Sequence, residues 1–310
     1  MTIHIPVFFH LLHLPIIMMR NTVLSLCVLL FISAAVASAE TPAFPYEIVY
    51  TDEAGKRIVR YDTGGKIIWE HPAELSRDVE RLSNGNILFC YNEYYDSKKH
   101  ENVSGAVEIT PDKKIVFEYK TTGQVFSCRR LPNGDTLIGA ASQGKLLIVN
   151  AQGKLLKEIT VKNKPGHSCM RHVCVGRNGD FLVAEESAKK VCRYRPDGKL
   201  VREIEVPFAP FSVAELPDGN VLVSGRDGIV EVTPANVVAW EFKAADFPEL
   251  GIRWCAGMDI LPNGNILLVN AGGRVRMFEI ARTPKPTLVW QLDPNRVALP
   301  SGHGVARIAP

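Results

Sequence analysis

Two histidines and two arginines have the side chains and the placement for chemistry on an acidic ligand: His167, His303, Arg171 and Arg77. Imidazole serves as acid, base or nucleophile near neutral pH, and guanidinium presents a flat fork that matches carboxylate, sulfate or phosphate. The densest polar and sulfur-bearing stretch is His167-Ser168-Cys169-Met170-Arg171-His172-Val173-Cys174. On a strand, His167 and Cys169 would face one side and His172 and Cys174 the other, so the segment does not converge on a metal. The Cys-x-x-Cys-His signature of covalent haem is absent, and no metal or other cofactor is expected. Trp254, between Arg253 and Cys255, is a candidate stacking platform for a ring-bearing ligand. Tyr91, Tyr94 and Tyr95, followed by Lys98, Lys99 and His100, form an amphipathic segment of the same kind. Arg253, His172 and Tyr94 therefore join Trp254 as candidate ligand contacts.

What positions these residues is a repeat. Leu82-Ser83-Asn84-Gly85-Asn86 recurs as Leu131-Pro132-Asn133-Gly134-Asp135, Arg177-Asn178-Gly179-Asp180, Leu216-Pro217-Asp218-Gly219-Asn220 and Leu261-Pro262-Asn263-Gly264-Asn265, at intervals of 40 to 49 residues. Each copy precedes an apolar strand-like run, and Asn-Gly or Asp-Gly between such runs is a strong hairpin signal. A second signature alternates with it, as in Gly65–Glu70, Lys113–Glu118, Gly153–Glu158, Gly198–Glu203, Asn236–Glu241 and Pro286–Gln291. Four strands in a unit of about 45 residues mark a β-propeller blade. The fold expected is all-β, a six-bladed propeller of four-stranded blades. A strand within Gly302–Ala309 joins three near the start, Tyr46–Asp52, Arg57–Asp62 and Lys66–Glu70, and closes the ring, removing the sheet edges of an open array.

Strand direction then separates two rims. The tight turns fall on one, and the crossovers near 71–77, 121–126, 161–168, 204–211, 243–254 and 292–303 fall on the other, with the 92–104 connection the longest loop between second and third strands. Ligand sites are expected where such loops surround the channel mouth. His71, His100, His167 and His303 lie in or beside this rim, and His172 on an innermost strand. Trp69, Phe117, Trp240 and Trp290 recur in register in the last strands and are expected to pack between blades.

The chain has 310 residues, 46% hydrophobic and 22% charged, and a formal charge of +3, which excludes disorder and leaves no basic footprint for nucleic acid. Residues 1–39 read as a signal peptide: Arg20, an apolar run from Val23 to Val36, then Ala37-Ser38-Ala39. The run is too short for a membrane span, and the true start is Met18 or Met19 if the preceding apolar stretch is an over-extension. Residues 40–310 are expected to form a single propeller domain, secreted or periplasmic, with no membrane span after cleavage. Its six cysteines are free structural thiols or are paired within or between blades, and spacing leaves the pairing open.

The unit from Asp78 to Glu118, with its L-S-N-G-N-I-L and V-E-I-T-P-D-K-K-I-V-F-E segments, resembles the repeats of bacterial arylsulfotransferase-like and quinoprotein-like (PQQ-like) propellers. The resemblance implies a channel histidine that carries a sulfuryl group, a role His167 or His303 could fill, with Arg171 or Arg77 as clamp. This chain departs from it with Ser76-Arg77-Asp78 where that family tends to show a histidine pair, and no complete catalytic set is matched. The expected function is binding of a small ligand, glycan or protein partner at the long-loop face. The alternative is an enzyme at the channel mouth, transferring sulfuryl groups or cleaving an acidic glycan.

Overall fold

Short runs of β-branched and aromatic residues, punctuated by glycine turns, pair into six antiparallel sheets of four in the computed structural model, which describes residues 42–308. Blade 1 holds Ile48–Asp52, Arg57–Tyr61 and Ile67–Pro72; blade 2 Val79–Arg81, Ile87–Asp96, Glu101–Ile109 and Ile115–Thr121; blade 3 Val125–Arg130, Thr136–Ala140, Lys145–Val149 and Leu155–Thr160. Blade 4 holds His172–Val175, Phe181–Glu185, Lys190–Tyr194 and Leu200–Glu205; blade 5 Pro210–Glu215, Val221–Gly225, Gly228–Val232 and Val238–Lys243; blade 6 Cys255–Ile260, Ile266–Asn270, Met277–Ala281 and Thr287–Gln291. Val305–Arg307 supplies the fourth strand of blade 1. The protein is thus the expected six-bladed β-propeller. The expected signal peptide lies outside the described residues, and no helix among the described residues is long and apolar enough to cross a membrane.

The tight turns work as the sequence implies. Gly85, Gly134, Gly179, Gly219 and Gly264 have φ between +83° and +89°, the left-handed region that only glycine enters without strain. The preceding Asn or Asp caps each turn by accepting the backbone N–H two residues on, as Asn84 Oδ1 does from Asn86 at 3.0 Å. One expectation is corrected. Residues 92–104 are not a long loop but the far end of a hairpin: Tyr94, Tyr95 and Asp96 pair with Val103, Asn102 and Glu101. Pairing satisfies backbone groups that a loop would leave to water, and the β-branched and aromatic residues favour it. The other connections between second and third strands are also short, so the crossovers provide most of the variable rim.

The recurrent aromatics bind blade to blade. Trp69 of blade 1 donates its indole N–H to Pro111 O in the turn of blade 2 at 2.8 Å, and Trp240 of blade 5 does the same to Arg282 O of blade 6 at 2.6 Å. Phe117 is buried beneath Arg130 of blade 3, and Trp290 lies 6.0 Å from Phe44. Ion pairs of Arg130 with Glu108, Arg193 with Glu215 and Arg282 with Glu231 cross the same kind of seam. All six described cysteines are free, five of them buried, which selects the structural-thiol alternative.

Ring closure rests on a short segment. Ile48, Val49 and Tyr50 pair with Arg307, Ala306 and Val305, and the buried Thr51 hydroxyl accepts the backbone N–H groups of His303 at 3.1 Å and Gly304 at 2.8 Å. Tyr50 donates its hydroxyl to Pro300 O at 2.7 Å. Thr51→Val keeps the shape and orphans both N–H groups, so unfolding free energy is expected to fall by about 2–3 kcal/mol. Urea denaturation measures this; an unchanged midpoint would show that the hydroxyl does not hold the closure.

Candidate functional site

Counting five residues back from the leucine-position residue of each tight turn gives Arg77, Phe126, Arg171, Phe211 and Ala256, and the equivalent residue of the closing strand is His303. These six residues, one per blade, line the cavity at the long-loop mouth of the channel. At Phe126, Phe211 and Ala256-Gly257 the strand ladder skips, a bulge that breaks the regular alternation and re-aims the side chain. Gly257 is required here for a different reason: a Cβ would sit 2.1 Å from His303 O.

The side chains form a belt. The Arg77 and Arg171 guanidinium carbons each lie 4.9 Å from the centre of the Phe126 ring, and Arg171 lies 5.1 Å from that of Phe211. Phe211 stacks near-parallel on His303, with ring centres 6.4 Å apart. Glu53 closes the circle: Oε2 stands 2.7 Å from His303 Nδ1, and Oε1 accepts from Arg77 Nη2 at 3.0 Å. Arg171 donates through Nε to Glu186 Oε2 at 2.6 Å. On the arginines, Arg77 Nε and Arg171 Nη1 have no partner although buried, and the Arg171 side chain is only 8% exposed. The space between them is about 30 Å³, room for a water-sized group.

Below the belt the channel is closed. Arg129 donates to both oxygens of buried Asp78, through Nη1 at 2.5 Å and Nη2 at 3.0 Å, and packs on His172 Nε2. Ser127 also donates to Asp78. Arg129 and His172 line both the mouth cavity and a cavity of about 490 Å³ at the opposite end, and thus form the partition between them.

Burial decides the protonation states. It drives His172 down to about 3, reinforced by the Arg129 cation and opposed by Asp78. His303 is also lowered, first by burial and then by Arg77 and Arg171, against the pull of Glu53. Burial would raise Glu53, but His303 and Arg77 outweigh it and hold the carboxyl at about 2. Desolvation lowers His167 as well, with Arg171 and Arg77 adding to it. At neutral pH the mouth therefore presents neutral imidazoles, an ionised Glu53 and two guanidinium cations.

Of the residues singled out by type, the structure gathers Arg77, Arg171 and His303 in the belt. His167 is exposed on the rim, edge-on to Phe126 at 5.2 Å, with Nδ1 2.8 Å from Gln124 Oε1. Trp254 packs against Phe211, ring centres 4.8 Å apart, and lies beneath Arg226 at 4.1 Å. Arg253 is exposed, its backbone N–H held by Asn270, and does not line the mouth cavity. His172 is locked in the partition rather than free for ligand. Tyr94 is separated from the mouth, on the blade 2 hairpin. Only His172–Val175 of the histidine- and cysteine-rich stretch is strand; Cys169 is buried in the core between blades, so the alternating strand pattern does not extend over His167–Arg171. Among the described residues no three His, Cys, Asp or Glu side chains gather as metal ligands.

Residue type alone missed Phe126, Phe211, Glu53, Glu186 and the Asp78–Arg129 pair. Aligning the inner strands on their turns finds the phenylalanines. The parallel Asp52-Glu53-Ala54-Gly55-Lys56 and Glu185-Glu186-Ser187-Ala188-Lys189 turns, three blades apart, mark the two glutamates.

The protein is a six-bladed β-propeller with an arginine- and aromatic-lined mouth. No family model and no curated protein matches the chain. Similar folds occur in a protein of unknown function from Bacteroides caccae (23% identity, TM-score 0.70, covering 85% of this chain and 100% of that one) and in a streptogramin B lyase (18%, 0.62, 86% and 88%). A third is a catalytically inactive variant of virginiamycin B lyase from Staphylococcus aureus with quinupristin (15%, 0.59, 81% and 85%). At these identities the likeness is one of fold.

The folded protein keeps His172 neutral down to about pH 3, while the unfolded chain takes up a proton near 6.5. The unfolded state binds more protons in that window, so stability falls as pH is lowered through it, and Glu53 adds to the loss below its ordinary 4.5. His172→Gln is expected to flatten the melting temperature between pH 6.5 and 3; an unchanged slope would assign the acid sensitivity elsewhere.

Proposed function

We propose that this chain is an exported propeller that binds a small anionic molecule, through a carboxylate, sulfate or phosphate group, at the long-loop mouth of its channel. The observation that carries the reading is the pair of guanidinium groups lining the mouth cavity, each with one N–H left without a partner, Arg77 Nε and Arg171 Nη1. Buried N–H groups left without an acceptor are costly, and an anion supplies acceptors with charge assistance. Phe126 and Phe211 hold the cations in place, and Glu53 and Glu186 orient them without occupying all their donors. Export rests on the charged, apolar and Ala-x-Ala pattern of residues 1–39.

Calorimetric titration of acetate, sulfate and phosphate tests the binding. Arg171→Lys retains the charge opposite Glu186 but loses the fork, so it is expected to weaken the preferred anion about tenfold or more, with the melting temperature nearly kept. Equal affinity in the two proteins would remove Arg171 from the site.

One observation favours a catalytic use of the same mouth. Glu53 lies against His303 Nδ1 as an orienting carboxylate lies against a general base, and the arginines stand where they would hold an acidic substrate. A screen against aryl sulfates and acidic glycans, reading turnover beside thermal shift, separates the two uses. Turnover abolished by His303→Asn with anion binding kept supports catalysis; thermal shift without turnover supports binding alone.

A further inference from the structure

A file of stacked side chains leads from the belt to the rim between blades 5 and 6. The Arg171 guanidinium lies 5.1 Å from the centre of the Phe211 ring, Phe211 packs 4.8 Å from Trp254, and the Arg226 guanidinium lies 4.1 Å over Trp254. Two aromatic rings thus join a buried cation to an exposed one.

The backbone holds each link. Arg226 follows Gly225 in the turn between the second and third strands of blade 5, where its N–H donates to Ala209 O at 3.4 Å. Trp254 ends the crossover into blade 6, its carbonyl accepting from the Ala271 N–H at 2.9 Å. Phe211, Ala256 and Ala271 form the apolar cluster on which Trp254 rests. The two ends resemble each other in having donors to spare. Arg171 lines the mouth cavity and has Nη1 without a partner. Arg226 is exposed, and among the described residues no carboxylate pairs with it, although Asp227 is its sequence neighbour. A ring face holds a guanidinium in place without consuming its N–H groups, so both cations keep donors for an outside anion.

We propose, resting on anion binding at the mouth, that the ligand is an elongated dianion whose two acidic groups are joined by an apolar spacer. One group meets Arg171, the other meets Arg226, and the spacer lies along Phe211 and Trp254. The water-sized space at the belt admits one oxygen of the first group. Phe211, Ala256 and Ala271 offer no side-chain hydrogen bond to a hydroxylated spacer, whereas a hydrocarbon or aryl spacer removes apolar surface from water there. Once the first group is bound the second contact is intramolecular, so affinity depends on how well the spacer matches the span.

Calorimetric titration of acetate, malonate, adipate, suberate and galactarate into the intact protein tests this. Adipate or suberate is expected to bind about tenfold more tightly than acetate, and malonate, too short to span, no better than acetate. Galactarate has the length of adipate but carries hydroxyls along its spacer, and is expected to bind more weakly than adipate. Arg226→Gln, at an exposed position where the fold is not at risk, should bring the long diacids down to the affinity of acetate, whereas Arg171→Lys should weaken every one of these anions. Failure of acetate, sulfate and phosphate all to bind would overturn anion binding at the mouth, and the dianion with it. Acetate binding with no gain for the longer diacids, a gain that survives Arg226→Gln, or galactarate equal to adipate would overturn the dianion alone.

Discussion

The pairing of Val305–Arg307 with Ile48–Tyr50 is the constraint on which the rest of the molecule depends. Each blade buries a face against its neighbours, so a ring missing one contact would expose two apolar faces. The closing segment also carries function. Ser301 O accepts the backbone N–H of Glu53 at 3.2 Å, and His303 sits where the two chain ends meet. The hydrogen bonds that shut the ring therefore also set His303 against Glu53, and the geometry of the mouth is inherited from closure rather than built by a flexible loop.

Inside the channel, charge is placed where it is held. Asp78 and Arg129 neutralise one another at the partition, with His172 kept neutral beside them by desolvation. Buried ion pairs contribute little net stability over apolar packing, yet removing one partner leaves a costly isolated charge. Such a pair fixes the inner strands of blades 2, 3 and 4 relative to each other. The arginines at the mouth are different, because their carboxylate partners leave donors unused.

The architecture is legible in the sequence because it is written in turns. Left-handed glycines after Asn or Asp recur with the blade period, and a turn residue acts locally, so it reports its own structure. The recurrent tryptophans are legible for the same reason of register. Arg77, Arg171 and His303 can be picked by residue type, but their neighbours cannot. Phe126 and Phe211 look like ordinary core phenylalanines until the bulges aim them at the axis, and a bulge depends on the partner strand. Glu53 reaches His303 across 250 residues of sequence, a contact that only closure creates. Tyr94 shows the reverse error: its aromatic, lysine-flanked segment reads as a loop at the mouth but zips into a hairpin facing another cavity.

The free cysteines carry a consequence for chemical durability. Burial pushes the thiols of Cys90, Cys169 and Cys255 up to about 12, and raises those of Cys128, Cys174 and Cys192 as well. Thiolate is the species that attacks disulfides and peroxides, so these sulfurs are almost inert while the ring is shut. The folded protein therefore slows oxidation and exchange at these sulfurs, and unfolding restores their ordinary reactivity.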